Sequence, residues 1–295
     1  MASSIFGACA SGSFGITHQM DQLEEYGLTG VFFVDPLSSM LFGQELLNDI
    51  VEPILARGHE VQLHIHTEWL EFLPDNPAGN LLGQNLGDFP LDTQIMLLGL
   101  AEEKLQAAGA PPSIAFRAGN YGANDDTLRA LHRLGIAYDS SFNASYLDEG
   151  CQITLPERTT VLTEKLGTKI LPVGAIMDTP TTQRHAQVCA LSSWEMHDAL
   201  DHCGISEQPH FVTVTHSFEL LSRDRMRVNA AVRARFESMC RHIDDHPELE
   251  CGTFRQLAMA SEEFPIANAE LLPPFLIRRL TRIGKQALYR LVIER

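Results

Sequence analysis

The sequence predicts an α/β protein in which strands and helices alternate along nearly the whole chain around a parallel sheet. Short apolar runs, typical of strands buried on both faces, are repeatedly followed by segments whose apolar residues have helical spacing. Six or seven such units fit into the 295 residues, which favours a closed or nearly closed barrel over an open sheet. We expect this body to span residues 1–270 and residues 271–295 to form a C-terminal helix.

The first half of the chain contains the clearest signals. Helices are predicted over 15–26, 43–57, 91–108 and 125–134. Gly27, Gly58 and Gly135 end three of them, as glycine commonly does. Strands are predicted over 29–34, 60–66, 113–116 and 136–141.

The second half is less regular. Strands are predicted over 169–173, 211–215 and 252–254, and helices over 193–203 and 224–245. The C-terminal helix follows Pro273-Pro274 and combines arginines with large apolar residues. Two interpretations remain open for it: an amphipathic helix docked on the acidic body, or a contact with an anionic membrane surface.

Composition excludes some functions. A net charge of -16 argues against a nucleic-acid-binding surface. The six cysteines are scattered without a CxxC pair, which favours a reduced, cytoplasmic protein. The sequence contains neither a signal-peptide pattern nor an apolar run long enough to span a bilayer.

A histidine pair is the strongest functional signal. His64 and His66 end the predicted strand 60–66, and Glu68 continues the same alternation. Because successive side chains of a strand point to opposite faces, these three residues share one face. Imidazole and carboxylate groups suit a divalent metal such as zinc.

Other polar residues follow the predicted strands. Asp35 comes after VFFV, Arg117 after IAF and His216 after VTVT, and Asp178 is a weaker candidate near the strand 169–173. In parallel barrels the active site forms at the carboxyl ends of the strands, so these residues are site candidates.

Each candidate also has a structural interpretation. The histidine pair could bond to loop backbone, and Glu68 could be a surface acid. Arg117 could be a buried ion-pair partner, His216 a helix cap and Asp35 part of a turn. The remaining histidines are expected to be solvated and receive no role.

Several segments resemble polysaccharide deacetylase-type proteins. Residues 58–69 (GHEVQLHIHTEW) resemble the family's second motif in its His-x-His variant, and residues 29–36 (TGVFFVDP) resemble the strand before it. Residues 116–122 (FRAGNYG) resemble the third motif, and residues 134–141 (LGIAYDSS) resemble the phrase after it. Residues 171–173 and 214–219 resemble later motifs. The resemblance covers about residues 15–254 and depends on the order and spacing of the motifs.

The resemblance implies a distorted (β/α)7 barrel that removes N-acetyl or O-acetyl groups from a sugar by metal-dependent hydrolysis. It implies that His64, with His66 or Glu68, holds the metal, with zinc expected first and manganese or cobalt as alternatives. The expected partner is therefore a carbohydrate substrate.

The same resemblance implies roles for the other strand-end residues. Arg117 would orient a catalytic carboxylate, and His216 would protonate the leaving group. Tyr121 would line the acetyl pocket, and Trp69 is a second substrate-contact candidate.

The family's first motif, an apolar strand ending in Asp-Asp or Asp-x-Glu, has no match here, because residues 1–14 contain no acid. The barrel is therefore expected to lack its first strand, through truncation or degeneration, which would impair catalysis. Asp35, at the end of the neighbouring strand, is the candidate replacement base.

Two other functions stay open. Other metal-dependent hydrolases, of the amidohydrolase or phosphoesterase kind, also place His-x-His at a strand end. A catalytically inactive barrel that binds sugar is the non-enzymatic alternative, supported by the unmatched acidic motif.

Overall fold

A computed structural model describes residues 3–147, 149–206, 208–260 and 268–292. Its strands and helices, in chain order, are β1 Ala8–Cys9, β2 Gly12–Ser13, α1 Ile16–Glu25, β3 Val31–Val34, α2 Ser39–Phe42, α3 Gln44–Ala56, β4 Glu60–Ile65, α4 Leu91–Ala107, β5 Ala115–Ala118, α5 Asp125–Leu134, β6 Tyr138–Asp139, β7 Thr163–Lys165, β8 Thr168–Ile170, β9 Ala175–Met177, β10 Gln183–His185, α6 Ser193–Ile205, α7 Ala230–Asp245, α8 Phe254–Met259 and α9 Leu276–Val292. Short 3-10 helices include Pro36–Ser38, Thr67–Phe72 and Gly119–Tyr121.

The chain divides into two compact units. Unit 1 consists of residues 1–29, 174–251 and 269–295, and unit 2 consists of residues 30–173 and 252–268. Unit 2 therefore contains β3 to β8 with the helices between them, and unit 1 contains α1, α6, α7 and α9.

Unit 2 is built on a mainly parallel sheet. Within the described residues, six strands pair in the order β3-β4-β5-β6-β8-β7. All neighbours are parallel except β7, which pairs antiparallel with β8. The predicted α/β class with a parallel sheet is thus confirmed, whereas closure into a barrel stays a prediction.

The strand register aligns polar residues across this sheet. Val34 lies opposite Leu63, His64 opposite Arg117, and Phe116 opposite Asp139. Continuing the same register by one residue towards the carboxyl ends of the strands places Asp35 beside His64 and Ser140 beside Arg117. Asp35, His64, Arg117 and Ser140 therefore form one row at the carboxyl ends of β3 to β6, which we call the strand-end row.

Alternation along β4 separates an apolar face from a polar one. Val61, Leu63 and Ile65 are buried together with the apolar faces of α3, α4 and α5. Gln62, on the opposite face, is also fully buried, and its Oε1 accepts the backbone N–H groups of Ile114 and Ala115 at 2.9 and 2.8 Å. Because those bonds anchor the start of β5, this polar face fixes the position of the strand that carries Arg117.

The helix boundaries of unit 2 follow local chemistry. The Asn124 side chain accepts the Thr127 N–H at the start of α5, and Gly135 ends that helix in a left-handed conformation at φ 74°. Both features agree with the sequence prediction. The predicted strand 252–254 is wrong, because Thr253 caps α8 by accepting the Gln256 N–H.

Unit 1 has its own core, formed by α6, α7 and the segment around β9 and β10. Two predictions fail there. The predicted strand 211–215 forms isolated pairings only, such as the bridge between Val214 and Gln187. The predicted helix 224–245 begins at Ala230, because Asn229 caps it by accepting the Val232 N–H at 3.2 Å and the preceding residues form turns.

Helix α9 docks on unit 1 through its basic face. Arg278 and Arg282 are 5% and 3% exposed. Arg278 pairs with Asp198 at 2.6 Å, and Arg282 pairs with Glu195 at 3.0 Å and also with Asp178. The apolar face points outward and exposes Leu276, Ile277, Leu280 and Ile283. No helix in the described part of the chain combines the length and apolar character needed to cross a bilayer.

Candidate active site at the ends of the parallel strands

His64 stands at the end of β4 with a defined tautomer. Its Nδ1 lies 2.5 Å from the carbonyl oxygen of Arg117 on the neighbouring strand. A carbonyl can only accept a hydrogen bond, so Nδ1 carries the proton and the lone pair of the neutral ring lies on Nε2. The rings of His64 and His66 lie 4.9 Å apart, nearly perpendicular. The two predicted ligands are therefore close neighbours.

A carboxylate orients His66. Its Nδ1 lies 3.2 Å from Oε2 of Glu68, and Glu68 Oε1 also accepts the Asn120 side-chain N–H at 2.7 Å. Burial alone would lower the pKa of His66, but the Glu68 bond and the charge of Asp35 outweigh it and raise that pKa. Burial raises the pKa of Glu68, yet the bonds from His66 and Asn120 leave it below its usual value. Glu68 thus contacts the ring on the side away from Nε2, an arrangement common behind metal-bound histidines.

Asp35 ties the end of β3 to the segment after β4. Its carboxylate accepts the N–H of Leu37 at 3.0 Å, the N–H of His66 at 3.2 Å and the indole N–H of Trp69 at 2.7 Å. Burial raises its pKa to about 6, against the opposing effects of His66 and these bonds. A carboxylate with a pKa near neutrality can exchange protons at working pH, the property required of a general base.

Arg117 contacts Ser140, the residue that follows β6. Its Nε donates to the Ser140 carbonyl at 3.0 Å and its Nη2 to the Ser140 hydroxyl at 2.9 Å. The guanidinium also lies 4.3 Å over the ring of Phe33. Burial lowers its pKa, while the charges of Tyr121 and Asp139 oppose that shift. The cation is therefore positioned by β3 and β6 within the strand-end row.

Asp139 is a second buried acid next to this row. It accepts the N–H and hydroxyl of Ser141 at 2.8 and 2.7 Å. Burial raises its pKa to about 6. The sequence did not indicate Asp139 as a site residue, because an acid inside a strand has no distinctive spacing.

The loop after β5 approaches His66 closely. A Cβ atom on Gly119 would lie 2.7 Å from Nδ1 of His66 and 2.8 Å from the Ile65 carbonyl oxygen. Asn120 and Tyr121 follow with φ of 55° and 57°, a left-handed backbone conformation that residues other than glycine rarely adopt. Residues held in such strained conformations concentrate at functional sites. The Tyr121 ring packs against Tyr146 at 5.1 Å between ring centres.

His216 and the weaker candidate Asp178 belong to unit 1, whereas the other predicted site residues belong to unit 2. Its Nδ1 lies 2.5 Å from Oε1 of the buried Glu219, and its ring stacks on Phe218 at 5.4 Å. Gln187 contacts both His216 and Glu219. His216 is therefore half of a histidine–carboxylate pair. Asp178, also in unit 1, forms ion pairs with Arg184 and Arg282.

The structure also contains an Asp-His-His group in unit 1 that could bind a metal ion. It consists of Asp201 on α6, His242 in the last turn of α7 and His246, the residue that follows α7. Sequence analysis assigned these histidines no role. The four-residue spacing of His242 and His246 at the end of the predicted helix 224–245 was the available signal, since residues four apart lie on the same side of a helix that continues to the second of them.

Comparison of the sequence with protein-family models and with curated proteins finds no match. Comparison with solved structures does find similar proteins. A protein from Mycobacterium smegmatis assigned as a polysaccharide deacetylase aligns with a TM-score of 0.56 and 15% identity, over 88% of this chain and 82% of that one. The resemblance to polysaccharide deacetylases is thus confirmed at the level of the fold.

A second similar structure belongs to an enzyme with a different activity, so the fold alone does not identify the activity. The 4-alpha-glucanotransferase from Thermococcus litoralis aligns with a TM-score of 0.51 and 13% identity, over 95% of this chain and 44% of that one. The family 4 carbohydrate esterase from Streptomyces lividans reaches only 0.44 at 9% identity, over 87% of this chain and 90% of that one. One fold supports several chemistries, so the function must be argued from the site residues.

Proposed function

We propose that the chain is a polysaccharide deacetylase-like hydrolase that uses a divalent metal, zinc first, to remove acetyl groups from a sugar. The observation that carries the proposal is the pair of oriented imidazoles. The Arg117 carbonyl holds the Nδ1 proton of His64, and Glu68 holds that of His66. Both rings, when neutral, then carry the lone pair on Nε2, and oriented imidazoles of this kind fit a metal with nitrogen ligands. A barrel-like closure of the sheet is part of the same proposal.

In this proposal His64 and His66 hold the metal, and Glu68 acts behind His66 rather than as a ligand. When bound, the metal would polarise the acetyl carbonyl and lower the pKa of a bound water. Asp35 would accept a proton as general base, and its pKa near 6 suits that role.

Arg117 would supply positive charge in the strand-end row. Tyr121 and Trp69 would line the substrate side of the site. The proton-donor role that the family resemblance implies for His216, which is paired with Glu219, stays a prediction. The cytoplasmic location predicted from the scattered cysteines, all of which are free thiols, belongs to the same proposal.

The test is acetate release from N-acetylated and O-acetylated sugar oligomers in the presence of Zn²⁺, Mn²⁺ or Co²⁺. We expect turnover that rises as the pH passes about 6, where Asp35 ionises, and a loss of at least ~100-fold in His64→Gln and His66→Gln. His132→Gln, an exposed position on α5 that bonds the Gly167 carbonyl, is the matched control and should retain activity. Equal turnover by all three variants would contradict the proposal.

A second candidate function is sugar binding without turnover. It is favoured by the three donors that already occupy the Asp35 carboxylate, since such bonds stabilise the ionised form and weaken a base. Calorimetry with acetylated oligomers separates the two. Binding of the oligomers without acetate release under any metal would support this candidate. Other metal-dependent amidohydrolase or phosphoesterase activity would be detected by turnover of a simple amide or phosphate ester instead.

We also propose that α9 contacts an anionic membrane surface peripherally. Residues 271–295 contain six basic residues and one acid, and the outward face of α9 is apolar. Flotation with anionic vesicles should retain the protein, and Leu280→Asp should release it. Met226→Ser, which removes an apolar residue exposed on a loop, should leave flotation unchanged. Failure of the wild-type protein to float would exclude the contact.

A further inference from the structure

Two helices of unit 1 bring together a column of histidines. His197 and Asp201 lie one turn apart on α6, while His242 lies in the last turn of α7 and His246 is the residue that follows this helix. The His197 and His242 rings stack at 4.1 Å with 13° between their planes, and those of His242 and His246 lie 4.0 Å apart. The His242 ring is therefore held on both faces.

Hydrogen bonds fix the outer members of the column. His197 Nε2 lies 2.9 Å from the Ser238 hydroxyl, which bonds α6 to α7. His246 Nδ1 lies 2.7 Å from the His242 carbonyl oxygen. Because that oxygen only accepts, the proton of neutral His246 is on Nδ1 and its lone pair is on Nε2. The backbone carbonyl thus orients the His246 ring, as the hydrogen-bond partner of the non-coordinating nitrogen does in a metal-bound histidine.

An acid completes a set of three donors. His242 Nε2 lies 2.6 Å from Oδ1 of Asp201. One ligand atom from each of Asp201, His242 and His246 lies within 4.8 Å of the other two. A tetrahedral zinc ion with bonds of about 2.1 Å would draw its ligand atoms to about 3.4 Å apart. Side-chain rotation can supply this change, since the Asp201 side chain is 45% exposed.

We propose that Asp201, His242 and His246 form a zinc site that joins α6 to α7. The ion would take the place of the proton between His242 Nε2 and Asp201, with His246 Nε2 as third ligand and water completing the coordination. Two imidazoles and one carboxylate suit zinc better than magnesium or calcium, which prefer oxygen ligands alone. This site is formed by unit 1 alone and does not depend on the function proposed for the strand-end residues.

Zinc counting by equilibrium dialysis of the full-length protein tests the site. We expect His246→Gln and Asp201→Asn to bind one zinc ion fewer per chain than the wild type, with the affinity of this site reduced at least ~10-fold. His202→Gln, which changes a half-buried α6 histidine that bonds the Glu270 carbonyl, is the matched control and should keep the wild-type count.

Thermal unfolding gives a second, independent readout. In a His66→Gln background, which removes a strand-end ligand, zinc should raise the unfolding midpoint and a chelator should reverse the rise. Adding His246→Gln should abolish the response. An unchanged zinc count and an unchanged zinc response in both His246→Gln and Asp201→Asn would overturn the proposal, and would show the group to be an ion pair only.

Discussion

Replacing Gly119 by alanine tests whether the loop after β5 must approach His66. The added Cβ would lie 2.7 Å from Nδ1 of His66, and an ordinary contact requires about 3.4 Å, so the ring or the loop must move by about 0.7 Å. Overpacking of this size costs about 1–3 kcal/mol, which corresponds to a fall of roughly 2–12 °C in the unfolding midpoint. Because the displaced nitrogen is the one that Glu68 holds, zinc affinity should also fall about 10–100-fold.

The matched control is Gly99→Ala on α4. A Cβ there would meet only Leu134, at 4.0 Å, and glycine inside a helix is about 0.5–1 kcal/mol less stable than alanine. The control should therefore melt at the same temperature or slightly higher, with unchanged zinc binding. Differential scanning fluorimetry and zinc titration measure both effects. A Gly119→Ala protein that matches Gly99→Ala in both measurements would refute the close-approach argument.

Three further predictions concern buried or paired charges. Asp139→Asn should flatten the stability of the protein between pH 4 and 7. In the wild type the pKa of Asp139 is raised from 3.8 to about 6, which favours folding below pH 4 by about 3 kcal/mol, and this contribution is lost as the pH rises through 6. Urea unfolding at each pH measures the effect. If the free energy of unfolding of Asp139→Asn changes with pH as steeply as that of the wild type, the reasoning is wrong. Arg282→Ala should cost about 3–5 kcal/mol in thermal unfolding because it removes the cation that pairs with the buried Glu195. Arg129→Ala, which removes an exposed ion pair, should cost less than about 1 kcal/mol, and similar losses in the two variants would contradict this. Glu68→Gln should lower zinc affinity about 10–100-fold without loss of fold, measured by titration beside circular dichroism, and an unchanged affinity would exclude its role behind His66.

The regular elements of unit 2 could be predicted because their signals are local. Helices α3, α4 and α5 lie within one or two residues of their predicted bounds, since glycines and caps mark their ends. The failed strand 211–215 and the late start of α7 have a different cause. Val212 and Val214 have the alternation of a strand, but pairing depends on a partner distant in sequence. Asn229, not Asp224, is the residue positioned to cap α7.

The site could be predicted only in part. The strand-end rule selected His64, His66, Asp35 and Arg117, and the structure does place them at the carboxyl ends of neighbouring strands; their roles stay predictions. It could not indicate that Asn120 adopts a left-handed conformation, since asparagine only tolerates that region. Nor could it pair Asp201 with His242, which lie far apart in the sequence and meet only when α6 packs beside α7.

The order in which the two units appear along the chain has a consequence for synthesis on the ribosome. Residues 30–173 interrupt unit 1. At about 5–20 residues per second, the first segment of unit 1 emerges roughly 7–29 seconds before the next one. During that interval the strands of unit 2 can pair, while α1 still lacks the core residues it will cover. Slowing translation within residues 174–251 should therefore expose nascent unit 1 to proteolysis or chaperone capture more than nascent unit 2.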